Sequence, residues 1–120
     1  MLSNLKSQMR KGLLEYCILS IISRSEAYAS DILEALKQAQ LVVVEGTVYP
    51  LLTRMKNEGL LSYRWQESTG GPPRKYYTLT EEGQQLLAQL DSEWQSICQA
   101  VNQITITNVQ DPNHIKDLNP

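Results

Sequence analysis

The chain has 120 residues, 42% of them apolar, enough for one domain with a modest core. Its formal net charge of −2 draws no nucleic acid by itself, but residues 1–80 hold ten Lys and Arg against seven Asp and Glu, and residues 81–120 hold one against six, so the first two thirds can carry a local basic surface. Cys17 and Cys98 are far apart and His114 is the one histidine, which argues against a zinc site or any resident cofactor; no run is long and apolar enough to span a membrane, no signal peptide's apolar stretch opens the chain, and a cytoplasmic protein with two free thiols is expected.

In residues 1–10, Leu2, Leu5 and Met9 recur at helical spacing, as either the frayed start of the first helix or an arm that packs on a partner. Lys11 to Arg24 is a helix with a broad apolar face of Leu13, Leu14, Cys17, Ile18, Ile21 and Ile22, and Gly12 marks a kink or join near its start. Ser25 to Ala27 read as a turn. Tyr28 to Gln38 form a second helix, with Ser30 as N-cap and Ile32, Leu33 and Leu36 facing inward. Gln40 to Glu45 is either a short strand or an extended connector.

The third helix, EGTVYPLLTRMKN, carries Val48, Leu51, Leu52 and Met55 on one apolar stripe. Pro50 supplies no N–H and clashes with the turn behind it, so the helix should start near Gly46 or Thr47, with Thr47 as N-cap, and Gly59 should end it. Thr47, Tyr49, Pro50, Thr53, Arg54, Lys56 and Asn57 lie mostly off the stripe. They offer hydroxyls, an amide and two cations, the chemistry a DNA major groove accepts. By itself the helix favours the plainer reading, an ordinary amphipathic surface helix.

Leu60 to Glu67 alternates, with Leu61, Tyr63 and Trp65 on one side, and Arg74 to Leu79 is a second strand with Tyr77 and Leu79 on one face. The Gly/Pro loop between them, STGGPP, puts Gly71, Arg74 and Lys75 at a hairpin tip able to reach a phosphate or a minor groove. Lys6, Arg10 or Lys11 should lie near the rim of the same surface.

Thr80 should cap the last helix, with Glu81 and Glu82 in its first turn. Leu87, Leu90, Trp94, Ile97, Val101 and Ile104 follow at alternating spacings of 3 and 4, a short heptad seam. Another copy of the chain is its simplest partner, with Leu5 and Met9 of the N-terminal segment beside it; folding back on the first helix is the alternative, and both can hold on different faces. The organisation is then a mainly α winged helix-turn-helix with a small β-hairpin over 1–79, a dimerisation helix over 80–108 and a tail over 109–120.

Three pieces at fixed separations, GTVYPLL from Gly46, EGLL from Glu58 and GPPRKYYTLTEEG from Gly71, resemble the PadR family of transcriptional regulators from about Lys11 to Gly83. The resemblance implies a winged-helix repressor that dimerises through the C-terminal helix and the N-terminal segment, places the helix from Gly46 in the major groove of double-stranded DNA, and uses the 70–75 loop as its wing. It also implies that Trp94 on the last helix stacks an aromatic effector, a site that Ile97 and Cys98, with the acidic Asp91 and Glu93 nearby, would complete; the alternative for Trp94 is plain dimer core. One departure is Ala29, where the family usually has glycine after the tyrosine. An enzyme is not expected, because no Gly-rich phosphate loop opens a helix and there is no Ser, His and acid set. A winged helix that docks only protein is the rival reading.

Overall fold

A computed structural model describes residues 1–41 and 45–105, apart from the side chains of Lys11 and Glu45. The elements are α1 (Leu2–Arg24), α2 (Ala29–Gln38), α3 (Glu45–Asn57), β1 (Leu61–Gln66), β2 (Arg74–Leu79) and α4 (Glu81–Thr105). The mainly helical fold with a small hairpin is the one the sequence predicts. The chain forms two compact units, Met1–Leu87 and Ala88–Pro120, so the first turns of α4 belong with the helices and hairpin before it. The expected tail over 109–120, His114 and the valines of the connector lie outside the described residues.

The first unit is built on one core. Leu14, Ile18, Leu19 and Ile22 of α1, Ile32 and Leu36 of α2, Val48, Leu52 and Met55 of α3, and Ala27, Leu61 and Tyr77 are all buried. On α3 the predicted stripe is the buried face, with Leu51 at its half-buried edge. On α1 the buried set is narrower than the predicted face. Leu13, Cys17 and Ile21 are half-buried, Leu19 joins instead, and the burial that Cys17 does have pushes its thiol pKa up. Residues 2–10 continue α1 as helix, with Leu2, Leu5 and Met9 exposed.

Several local expectations need correction. Ser30 is not the N-cap of α2. The helix opens on Tyr28, whose backbone N–H donates to the Asp31 carboxylate at 3.0 Å, an acidic group in the first turn where the helix dipole favours it. Thr47 is not a cap either, because α3 already includes Glu45 and Gly46. Pro50 therefore sits inside the helix, where it removes the N–H that would reach the Gly46 carbonyl in the first turn. The Ser25 to Ala27 turn also does more than turn. Ala27 pairs with Tyr77 through two backbone hydrogen bonds of 3.1 and 2.8 Å, adding an isolated bridge beside the hairpin.

Both α2 and α3 end in the same way. After α3, Gly59 takes a φ of +82°, its N–H donates to the Lys56 carbonyl, and the Leu60 N–H donates to the Met55 carbonyl. After α2, Gln40 takes a φ of +64°, with equivalent bonds from Gln40 to Lys37 and from Leu41 to Leu36. A side chain is disfavoured at that φ, so Gln40 is a strained cap where Gly59 is a relaxed one.

The turn after α3 is also where α4 starts. The Thr80 hydroxyl donates to the Gly59 carbonyl at 2.6 Å and accepts from the Gly83 N–H at 3.0 Å, which is the predicted N-cap. The Thr80 N–H donates to the Leu60 carbonyl at 3.1 Å. Gly83 packs so closely here that a Cβ would stand 2.2 Å from the Leu60 carbonyl oxygen. Two substitutions should therefore move stability in opposite directions in chemical denaturation. Gly83→Ala, although alanine is the better helix former, should destabilise by about 1–3 kcal/mol through backbone overpacking. Gln40→Gly should stabilise by about 0.5–1 kcal/mol, the relief of left-handed strain less the added freedom of the unfolded chain.

Candidate nucleic-acid interface

The hairpin pairs Leu61 with Leu79 through to Gln66 with Arg74 in antiparallel register. Opposed side chains interact across it: the Ser62 and Thr78 hydroxyls are 3.1 Å apart, and the Tyr63 and Tyr77 rings have centroids 5.9 Å apart. Burial pushes the Tyr77 phenol pKa up, with the neighbouring Tyr63 and Tyr49 phenols adding to the shift. Trp65 does not share the burial of Leu61 as the alternation predicts. It is 60% exposed, because the strand has run past the core by that point and toward the hairpin tip. At the tip Gly70 takes a φ of +79°, and the Ser68 hydroxyl donates to the Pro72 carbonyl at 2.9 Å.

Two clefts join α3 to the hairpin. The first, about 350 Å³, is lined by Tyr28, Ala29 and Ser30 at the start of α2, Tyr49 and Thr53 of α3, and Trp65, Arg74, Lys75 and Tyr77 of the hairpin. The second is lined by Thr53, Lys56, Asn57, Tyr63, Lys75 and Tyr77. Tyr49, Thr53, Lys56, Asn57, Arg74 and Lys75, chosen from separate stretches of sequence, are thus neighbours on one surface. Pro50 and Arg54 lie with Tyr49, Thr53 and Asn57 along a shallow face of α3. Thr47 and Gly71 are exposed but line none of these clefts, and neither do Lys6 and Arg10 of α1. The side chain of Lys11 lies outside the described residues.

The cations are held in different ways. Lys75 Nζ lies 4.6 Å from the Tyr63 ring centroid and 5.6 Å from that of Trp65, and Lys56 Nζ lies 5.7 Å from Tyr63. The Arg74 guanidinium stacks 4.2 Å over Tyr28, and its Nη2 donates to the Ser30 hydroxyl at 2.6 Å. Arg54 is ion-paired to Glu15 of α1 and, at 3.6 Å, to Glu58 one turn on. These pairs are half exposed, so each is worth roughly 0–1 kcal/mol and exchanges readily for another anion. Sequence reading missed the roles of Tyr28 and Ser30, which it used only to start a helix; an Arg-bearing wing facing an aromatic residue far away in the chain leaves no local signal.

In the second unit, the C-terminal part of α4 carries Trp94 (39% exposed), Ile97 (51%), Val101 (49%) and Ile104 (70%), with Leu90 and Cys98 half-buried; Leu87, the seam's first residue, is half-buried at the end of the first unit. Among the described residues no helix is long and apolar enough to cross a membrane, and no cluster of His, Cys, Asp or Glu is placed to hold a metal ion.

Comparison with known proteins places the fold. Residues 18–89 match the family described as the transcriptional regulator PadR-like family. The chain is 59% identical to a PadR-like transcription factor from Bacteroides fragilis, with a TM-score of 0.72 over 85% of this chain and 99% of that one. It is 40% identical to a PadR-like transcriptional regulator from Bacillus cereus, with a TM-score of 0.72 over 81% of this chain and 95% of that one. A more distant neighbour, 28% identical with a TM-score of 0.60 over 65% of this chain and 46% of its own, is Bacillus subtilis PadR, whose structure was solved in complex with operator DNA. With the family match covering more than half its length and close relatives matching nearly end to end, the chain belongs to the PadR-like family of transcriptional regulators.

Proposed function

We propose that the protein is a homodimeric, cytoplasmic repressor that reads an inverted repeat in double-stranded DNA, with α3 in the major groove and the 70–75 wing on the flanking backbone. The observation that carries this reading is the shared surface of α3 and the wing, where hydroxyls, an amide and cations stand together. The operator complex of Bacillus subtilis PadR supports it by family likeness. In this reading Thr47, Tyr49, Pro50, Thr53, Arg54, Lys56, Asn57, Gly71, Arg74 and Lys75 face DNA. Residues 80–108 form the dimerisation element, with Leu5 and Met9 of the N-terminal segment.

Replacing Arg74 and Lys75 together by alanine should weaken binding to every sequence. It should also flatten the dependence of log K on log salt by about 0.9 for each phosphate left without its cation, because these residues position the duplex without specifying its sequence. Thr53 or Asn57 substitutions should change sequence preference more than affinity. Unchanged affinity and salt slope in the double variant would remove the wing from the interface, and salt-insensitive binding throughout would favour a protein-docking winged helix.

The apolar seam on α4 supports the dimer, since a face with Ile97 and Val101 about half exposed gains by being covered. Leu90→Asp or Val101→Asp places a charge on that face and should give a monomer in sedimentation with sharply reduced DNA binding. A dimer that survives both changes would place the interface elsewhere.

The middle of the seam is also where we place the release of repression. Trp94, with Ile97 and Cys98, would stack an aromatic effector between subunits, and Asp91 and Glu93 would favour a cation. In a Trp65→Tyr background, which leaves Trp94 as the one tryptophan, a planar cationic dye should quench fluorescence saturably at near one per dimer and loosen the DNA complex. A panel of such dyes that never quenches saturably would make Trp94 dimer packing alone.

A further inference from the structure

Arg74 differs from the other wing cation in being held in a defined orientation by residues from another part of the chain. We propose that Tyr28 and Ser30 are positioning residues that make Arg74 a pre-set fork for a DNA phosphate; the inference rests on the DNA-binding reading above.

A guanidinium has five N–H donors in a fixed plane. The guanidinium carbon lies 4.2 Å over the Tyr28 ring centroid, a cation–π contact that needs no hydrogen-bond acceptor, and the Ser30 hydroxyl takes one donor at 2.6 Å. Four donors remain on an exposed side chain already held at two points, enough for a bidentate grip on a phosphate. A free arginine must surrender rotamer freedom to make such a grip, whereas one already held surrenders less.

The support behind Arg74 is itself anchored. The Tyr28 ring meets Tyr76 edge to face, with centroids 4.4 Å apart and planes at 87°. Tyr76 carries the Arg64 guanidinium at 4.9 Å on the opposite strand, and Arg64 Nε donates to the Glu26 carboxylate at 3.0 Å. The stack runs from the α1–α2 connection to the wing, and Tyr28 is fixed at its centre as the residue on which α2 opens. Lys75 has no equivalent, since an ammonium over two rings has no plane to set.

Phosphate contact is independent of sequence, so a labelled mixed-sequence duplex at low salt is a sufficient probe. Fluorescence anisotropy on the full chain would compare wild type, Tyr28→Leu, Tyr28→Phe, Ser30→Ala, Arg74→Ala, Arg74→Lys and the Tyr28→Leu/Arg74→Ala double variant. Tyr28→Leu should weaken binding by about two- to fivefold, the range of an exposed cation–π interaction. Tyr28→Phe should bind like wild type, Ser30→Ala should weaken binding in the same direction as Tyr28→Leu, and Arg74→Lys, which keeps the charge but loses the fork, should fall between wild type and Arg74→Ala. Once Arg74 is alanine, Tyr28→Leu should cost nothing further. An equal loss in both backgrounds would overturn the proposal, because Tyr28 would then act on DNA or on the fold directly; so would a Phe variant as weak as the Leu one, or a Ser30→Ala variant that binds like wild type. Proton NMR gives a readout without DNA. The Arg74 methylene signals should be shifted upfield by the Tyr28 ring, keep that shift in Tyr28→Phe and lose it in Tyr28→Leu. Absence of the shift in wild type overturns the positioning itself. The shift intact alongside salt-insensitive duplex binding overturns the DNA reading, and with it the fork's role.

Discussion

The contact on which the reading unit depends is the seat of Gly83 against the Leu60 carbonyl. Three segments meet there. The left-handed Gly59 ends α3 and sends the chain into β1, β2 delivers the chain back to Thr80, and α4 starts with its cap hydroxyl shared between the Gly59 carbonyl and the Gly83 N–H. Each piece constrains the others. The helix can approach only if residue 83 has no side chain, and the Thr80 bonds form only if the turn after α3 presents the Gly59 and Leu60 carbonyls. This gives a physical reason for EGLL and LTEEG to stand at this separation in the chain: they are the two halves of one joint. The hairpin between them is tied a second time by the Ala27–Tyr77 bridge, so the direction of the wing relative to α3 is set by backbone hydrogen bonds at more than one point along β2.

That joint lets an acidic chain present a basic surface. Lys56, Arg74 and Lys75 are brought to two adjoining clefts on tyrosine and tryptophan faces that leave their charge available, while Arg54 lies on the shallow face of α3 and is paired with half-exposed carboxylates. Aromatic support restricts a cation without neutralising it, while a carboxylate neutralises without much holding energy at this exposure. In the proposed DNA-bound state, the two kinds of support suit different tasks, fixed phosphate contact for the wing and an exchangeable contact for Arg54.

Most of the fold was legible in the sequence because it rests on local periodicity. The α3 stripe, the hairpin and the Thr80 cap each need only a few adjacent residues to be recognised. What was not legible rests on distant partners. Trp65 alternates with Leu61 and Tyr63, and alternation cannot reveal where the core ends beneath a strand. Ser30 resembles a cap by residue type, but α2 already opens on Tyr28, which puts Ser30 inside the first turn and leaves its hydroxyl to Arg74, 44 positions away in the chain. Pro50 pointed to a later helix start than the one observed: α3 begins at Glu45 and takes the proline into its second turn, where the bond to the Gly46 carbonyl is given up. The residues of the candidate surface were legible by type and spacing, while the aromatic shelf on which the wing cations rest was not.

The central claim is that two copies of this surface read DNA together. Hydroxyl-radical footprinting of DNA from upstream of the protein's own gene tests it most directly. The account predicts two related protected patches on one face of the duplex, about one helical turn or ~34–36 Å apart, fading together as salt rises. A single patch, or no protection at salt concentrations where the protein is folded, would contradict it.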